Sequence, residues 1–379
     1  MIRETAKKIR EKEKAIARWF AGKAEGLTLP VTTSVDIRNA GFKISVIDTN
    51  VFPAGFNNLC NTFSKRAAHH FKNYFQKQAP GAKKIRIFPE AFTRNRPYFE
   101  HLARLKAILT EGGFEVTDQD PDLILLNNDC SSGIPEALQK AKVPVFPSPQ
   151  LGWFSRRKKH HIEIYCSLAR ELASLLGMDC WRFCPITCLE HGVDIQNPDD
   201  LKRLAATAEK VVQKTADKYR QYGITEKPYI FIKSNAGTFG LGLTHIEDPK
   251  EILTLNRKAR KKLSASKGGT AAREFLIQEG IPTIDTFEGG PIEPVLYYVG
   301  GESVGGFFRI HQDKDARASL NTPGARFETL CFHKDSENVG KEINLHCDDH
   351  DDFFTIAKWL GKIACLAVAL EEKDLVPSP

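Results

Sequence analysis

Residues Tyr229–Gly242 read YIFIKSNAGTFGLG, a short β-branched and aromatic run that delivers a lysine straight into a glycine-rich loop. Tyr229 to Ile232 has the composition of a buried strand, and Pro228 before it marks a strand entry. Lys233 therefore stands at the strand's end, facing the loop. Gly237, Gly240 and Gly242 leave backbone N–H groups open to an anion, and Lys233 adds a positive charge. The combination suits phosphate. It is not a Walker loop, because the lysine precedes the glycines and no long helix begins here. A plain glycine-rich hairpin turn is the other reading of the segment taken alone.

A second apolar run, Phe275 to Ile281 (FLIQEGI), supplies a partner. A lysine strand, a glycine loop and then an apolar strand ending in Gln-Glu-x-Ile is the order found in ATP-grasp ligases, which this half of the chain resembles. The resemblance makes the second strand the hinge at the nucleotide: Gln278 lies on it, Glu279 and Ile281 flank the adenine, the acidic residue takes the ribose, and Lys233 meets the α- and β-phosphates. It also implies a second phosphate lysine just before a helix. In GWFSRRKKHH (152–161) that residue is Lys158, or failing it Lys159, although the charge run alone reads equally as a basic surface turn.

With 379 residues the chain has room for two to three domains and a large core. Its 41% hydrophobic and 27% charged content are ordinary for a soluble globular protein. No apolar run approaches the ~18 residues of a membrane span, and MIRETAKKIREKEK has no signal core, so a cytoplasmic enzyme without membrane contact is expected. A net charge of +7 spread along the chain suits anionic small molecules; the basic, aromatic-interleaved stripes of a nucleic-acid binder are missing. Nine cysteines without paired CxxC units fit reduced thiols. Cys180, Cys184 and Cys188 recur every four residues, but Pro185 breaks any helix that would align them as metal ligands. Oligomeric state is left open, a homo-oligomer included.

Residues 2–21 read as one amphipathic surface helix. Thr32 to Leu59 (TTSVDIRNAGFKISVIDTNVFPAGFNNL) then reads as a β-hairpin, turning at Asn39-Ala40-Gly41 and returning through Phe42 to Ile47. Asp48 and Asn50, two apart at a strand end, present two oxygen donors on one side, as magnesium requires; an Asx turn closing the strand is the alternative. In ATP-grasp enzymes an acidic-x-Asn pair of this kind is the magnesium motif, usually near the carboxyl end. Its early position here resembles the circular permutation of eukaryotic glutathione synthetases.

Residues 84–146 alternate strand and helix (IRIFPE, a helix from Pro97 to Thr110, LILLNN, IPEALQKA, VPVFPSP), which implies parallel pairing in a Rossmann-like unit. Glu90, Thr93, Arg94 and Asn95 follow its first strand, where open sheets bind ligands, although a helix-capping loop explains them as well. Leu201 to Gly223 is a long polar helix, and RKARKKLSASKGGT reads as a mobile lid over 257–272. Past the hinge, PIEPVLYYV and VGGFFRI form an antiparallel pair ending in Arg309, which either pairs with a carboxylate or meets a transferring phosphoryl group or substrate carboxylate. Asn321, in the loop after it, is set within reach of ATP or metal. The HCDDHDD run caps the final helix, Phe353 to Leu370.

Taken together, these segments closely resemble the proteobacterial glutamate–cysteine ligase family, typified by SVDIRNAGFKIxxxDTNxFPAGFNNL. The resemblance implies an α/β, circularly permuted ATP-grasp fold and ATP- and Mg2+-dependent joining of the L-glutamate γ-carboxylate to L-cysteine through an acylphosphate. Lys233, Arg309 and Arg38 are then the catalytic candidates, Arg38 as a bidentate partner of a substrate carboxylate. The expected layout is 1–80 giving the metal hairpin, 81–150 the substrate unit, 151–225 a helical linker and 226–379 the nucleotide region. A glutathione synthetase or other ATP-grasp carboxylate–amine ligase is one alternative, and a nucleotide-binding regulatory protein another.

Overall fold

The computed structural model describes residues 1–90, 96–236, 242–264, 272–330, 343–344 and 350–375. At the amino terminus Ile2, Ala6 and Ile9 recur at i, i+4 and i+7, and they form the buried stripe of α1 (Ile2–Glu11). The chain breaks at Lys12 before α2 (Glu13–Ala24), so the single surface helix expected over 2–21 is two helices. Lys12 marks the break with φ −107° and ψ 11°, and its Nζ donates to the Leu175 carbonyl at 2.6 Å. Next come β1 (Thr32–Asn39) and β2 (Ile44–Asn50), an antiparallel hairpin with a bulge between Asp36 and Ile37. Gly41 turns it at φ +75°, a backbone that side chains disfavour. Helix α3 (Asn61–Gln78) follows.

The parallel unit is β3 (Lys84–Pro89), α4 (Arg96–Glu111), β4 (Glu115–Val116), β5 (Leu123–Asn127), α5 (Glu136–Gln139) and β6 (Val145–Phe146), in sheet order β4-β3-β5-β6. Every residue of β5 is buried, as a strand covered on both faces requires.

A second antiparallel sheet draws on a longer stretch. After α6 (Lys158–Leu176) come β7 (Thr187–Glu190), α7 (Pro198–Gln221), β8 (Ile230–Ser234), β9 (Thr244–Ile246), α8 (Arg257–Ser264) and β10 (Phe275–Glu279), in order β7-β10-β8-β9. Ile230, Ile232, Phe275 and Ile277 share one buried cluster with Leu204, Ala208 and Val211 of α7, so α7 covers one face of this sheet. Lys233 and Gln278 alternate with those residues and take the other face. The expected lid is helical over α8; its remainder, 265–271, lies outside the described residues.

The chain then builds β11 (Thr286–Phe287), β12 (Gly290–Val299), β13 (Glu302–Ile310), β14 (Arg326–Thr329), β15 (Ile343–Asn344) and α9 (His350–Leu375). β12 pairs with β1, Thr32 opposite Val299, so the amino-terminal hairpin completes the large sheet β14-β13-β12-β1-β2. Across this sheet lies α9, where Ile356, Leu360, Ile363 and Ala367 have no exposed surface. Gly361 allows the approach, because a Cβ there would stand 2.0 Å from the Tyr298 hydroxyl. By length and composition Asp352–Leu375 could cross a membrane, contrary to the expectation of no such segment; 67% of its most apolar window is buried inside the protein, as in a core helix.

Candidate active site

The two antiparallel sheets meet where β2 ends. Lys158 opens α6, and its Nζ donates to Asp48 Oδ1 at 2.7 Å. Lys233 reaches the same strand from β8, donating to the Ile47 carbonyl at 3.2 Å. The start of α6 is fixed by the segment after β8: the Asn235 carbonyl accepts from Lys158 N at 2.8 Å and its Oδ1 from Lys159 N at 2.9 Å. Those are two of the N–H groups a helix start leaves without intrahelical partners. The Trp153 ring centroid lies 4.6 Å from Lys158 Nζ. Burial alone would raise the Asp48 carboxyl; Lys158, Lys233 and Arg156 override it and hold the group well below the usual carboxylate range. Burial pushes Lys233 down to about 8, with Asp48 pulling the other way.

Beside this cluster Arg38, Arg309, Asp36 and Glu293 form a buried lattice. Arg309 sits directly across β12–β13 from Glu293, and Asp36 across the hairpin from Asp48. Arg309 Nη1 meets Asp36 Oδ2 at 3.2 Å and contacts Glu293 Oε1, while its Nε has no hydrogen-bond partner. Burial pushes the Asp36 carboxyl up to about 6 against the pull of Arg309. Burial also works to raise Glu293, but Arg38 and Arg309 leave it lowered.

Two expectations are corrected here. Arg38 is 2% exposed, and its donors are committed to Glu293 Oε2 at 2.7 Å, the Ile281 carbonyl at 2.9 Å and the Ala318 carbonyl at 2.6 Å. It clamps β1 to the segment after β10, which leaves no fork for a substrate carboxylate and takes up the Ile281 carbonyl as well. Glu279 turns its carboxylate to Lys43 Nζ at 2.8 Å, Trp181 Nε1 at 3.0 Å and Ile186 N at 2.8 Å, with no exposed side-chain surface. It is in phase with Phe275 and Ile277 and so points away from the Lys233 face, where a ribose would lie. Gln278 does share that face: its Nε2 donates to the Ile47 carbonyl at 3.4 Å and its buried Oε1 has no partner. Gly242 is a turn residue with φ +69°. Gly237, Gly240, Thr93, Arg94 and Asn95 lie outside the described residues.

Asn50, Arg309 and Asn321 open instead on a cavity of about 400 Å³ between the large sheet and the parallel unit. Glu90, Tyr98, Asn127 and Asp129 line it from the parallel unit. Of these only Glu90 was singled out from sequence. Asn127-Asn128-Asp129 carried the same signal, polar residues at a parallel strand's carboxyl end.

The glutamate–cysteine ligase family model matches residues 6–119 and 115–372, nearly the whole chain. The chain belongs to the glutamate–cysteine ligase family. A crystal structure from Methylobacillus flagellatus KT, provisionally named a gamma-glutamylcysteine synthetase, superposes with a TM-score of 0.87 at 28% identity, covering 97% of this chain and 95% of its own. A D-alanyl-alanine synthetase A from Vibrio cholerae matches at TM-score 0.33 and 12% identity over 68% of this chain and 76% of its own, too distant to bear on the argument. A search of curated proteins returned no match. The protein is thus a ligase of glutathione biosynthesis, working on small-molecule substrates.

The donor chemistry fits the co-substrate and metal that such a ligase implies. Lys158, Lys233 and Arg309 supply cations for phosphate oxygens, and Gln278 Oε1 is a buried acceptor without a donor. Asp48 and Asn50 offer hard oxygen ligands. Among the described residues no three His, Cys, Asp or Glu side chains are grouped to hold a metal by themselves. Magnesium typically takes one or two protein oxygens and completes its shell with phosphate and water.

Proposed function

We propose that this glutamate–cysteine ligase works through a circularly permuted ATP-grasp site assembled from both ends of the chain. Lys158 and Lys233 hold the ATP phosphates, with Gly237, Gly240 and Gly242 as further nucleotide-binding positions and the Gln278 face of β10 against the base. Asp48 and Asn50 hold Mg2+, which when bound offsets charge on the phosphoryl oxygens. The γ-phosphoryl group passes to a glutamate γ-carboxylate oxygen, releasing ADP. The neutral amine of cysteine then attacks the acyl carbon, phosphate leaves, and the amine's proton is lost to solvent. Lys158, Lys233 and Arg309 stabilise the charge that develops in transfer.

In this layout residues 1–80 give the metal hairpin, 81–150 the substrate wall, 151–225 the helical linker and 226–379 the nucleotide region with its lid. A cytoplasmic setting goes with ATP as co-substrate. The observation that carries the reading is the meeting of Lys158, Lys233 and Asp48 from α6, β8 and β2. A coupled ADP-release assay with product mass analysis tests it. Glutamate plus cysteine with Mg-ATP should yield γ-glutamylcysteine, whereas turnover only with γ-glutamylcysteine plus glycine would make the protein a glutathione synthetase.

A further inference from the structure

The cavity of about 400 Å³ lies within the ~300–1,000 Å³ range of small-ligand pockets, and charged side chains line it on both walls. On the sheet wall Arg309 stands beside Asp36, to which its Nη1 donates; it is the one cation among the described lining residues, 7% exposed, and its Nε lacks an acceptor and so is left for a ligand carboxylate. On the wall of the parallel unit stand Glu90 and Asp129, at the carboxyl ends of β3 and β5. A ligand matching both walls carries a carboxylate at one end and an ammonium at the other.

We infer that this cavity is the L-glutamate pocket, with Glu90 and Asp129 holding the α-ammonium and Arg309, helped by Asn321, meeting the side-chain carboxylate to be activated. This rests on the ligase mechanism proposed above. The two carboxylates also decide which amino acid enters. Carboxylates around an amine favour its protonated form, so they suit an ammonium that takes no part in the reaction. Cysteine's amine must be neutral to attack, and such a wall would hold it inert.

The carboxylate wall is braced from the hairpin side. Asp129 N donates to Glu90 Oε1 at 2.9 Å, and Glu90 N to the Tyr98 hydroxyl at 2.9 Å. That hydroxyl donates to Asn127, whose Oδ1 lies 3.0 Å from His101 Nε2. His101 Nδ1 accepts from Phe56 N at 3.3 Å, and Asn127 Nδ2 donates to the Pro53 carbonyl at 3.2 Å. The loop after Asn50 and the carboxylate wall therefore keep a fixed spacing, as recognition of one chain length requires.

The test compares L-glutamate with glutarate, the same diacid without the α-amino group, by calorimetric binding and by ligation to cysteine. Wild type should prefer glutamate strongly. In Glu90→Gln and Asp129→Asn that preference should fall roughly tenfold or more, the worth of a charged hydrogen bond, with KM for ATP and cysteine within about twofold. Asp129 is buried and accepts from Ser131 Oγ at 2.7 Å, so Glu90→Gln, half-buried, is the safeguard if Asp129→Asn fails to fold. An unchanged glutamate-to-glutarate ratio in folded Glu90→Gln overturns the assignment, as does a rise in KM for cysteine alone. Failure of wild type to join glutamate and cysteine sinks the parent reading instead, and the calorimetric preference still judges the pocket.

Discussion

At Lys233 the electrostatics are specific enough to predict a pH profile. Its pKa in the free protein is pushed down to about 8 by burial, below the ordinary lysine value of 10.5. Between those values the free site loses a proton that a bound triphosphate would restore. ATP affinity should therefore weaken as pH climbs past about 8, with proton uptake on binding that shows as buffer-dependent enthalpy near pH 8.5. Lys233→Arg should flatten this alkaline limb, since guanidinium stays charged, and Lys233→Ala should weaken ATP binding roughly tenfold or more at pH 7. Glu279 behaves oppositely. Glu279→Ala strands the Lys43 ammonium with no exposed surface, so urea denaturation should show a loss of about 3–5 kcal/mol, while ATP affinity of the folded protein stays near wild type. The alternation of β10 already separated Glu279 from the Lys233 face. Its partners Lys43 and Trp181 were not legible, because they come from distant segments.

Most elements could be read from periodicity. The helix expected from Pro97 to Thr110 is α4, that from Leu201 to Gly223 is α7, and the strands around Lys233 and Arg309 fall where their apolar runs lie. Short strands such as β7 and β11 carry too few residues to show a period of their own. The placement of α9 was also hidden: its apolar surface was evident, its role against β1, β2 and β12 was not. Its last turns reach the site through Glu371, which accepts from Arg156 Nε at 2.9 and 3.0 Å, and Arg156 Nη1 donates to the Thr49 carbonyl between Asp48 and Asn50 at 2.9 Å. Burial works to raise Glu371; Arg156 and His161 override it and bring it down to about 2, from 4.5. A depressed carboxyl stabilises the fold above its unfolded pKa and loses that contribution as pH falls through the folded one. Thermal unfolding of wild type should thus lose stability between pH 4.5 and about 2 more steeply than that of Glu371→Gln, which should be the less stable of the two at pH 7.

At the scale of the molecule, the chain closes its large sheet by pairing β1 with β12, and this brings a hairpin from the amino end to a lysine strand past residue 229. The resemblance to permuted ligases anticipated this meeting; composition and local pattern alone could not, since no residue of β2 announces a partner 186 positions away. The account stands on Asp48 serving as a metal ligand in that joint site rather than as the end of an Asx turn. Magnesium titration of the ligation rate in Asp48→Asn measures this most directly. The account predicts loss of most turnover at low magnesium with partial recovery as the ion is raised, because removing a charged ligand weakens the site without abolishing its geometry. An unchanged magnesium dependence at near-normal rate would contradict it and remove the amino-terminal hairpin from the ATP site.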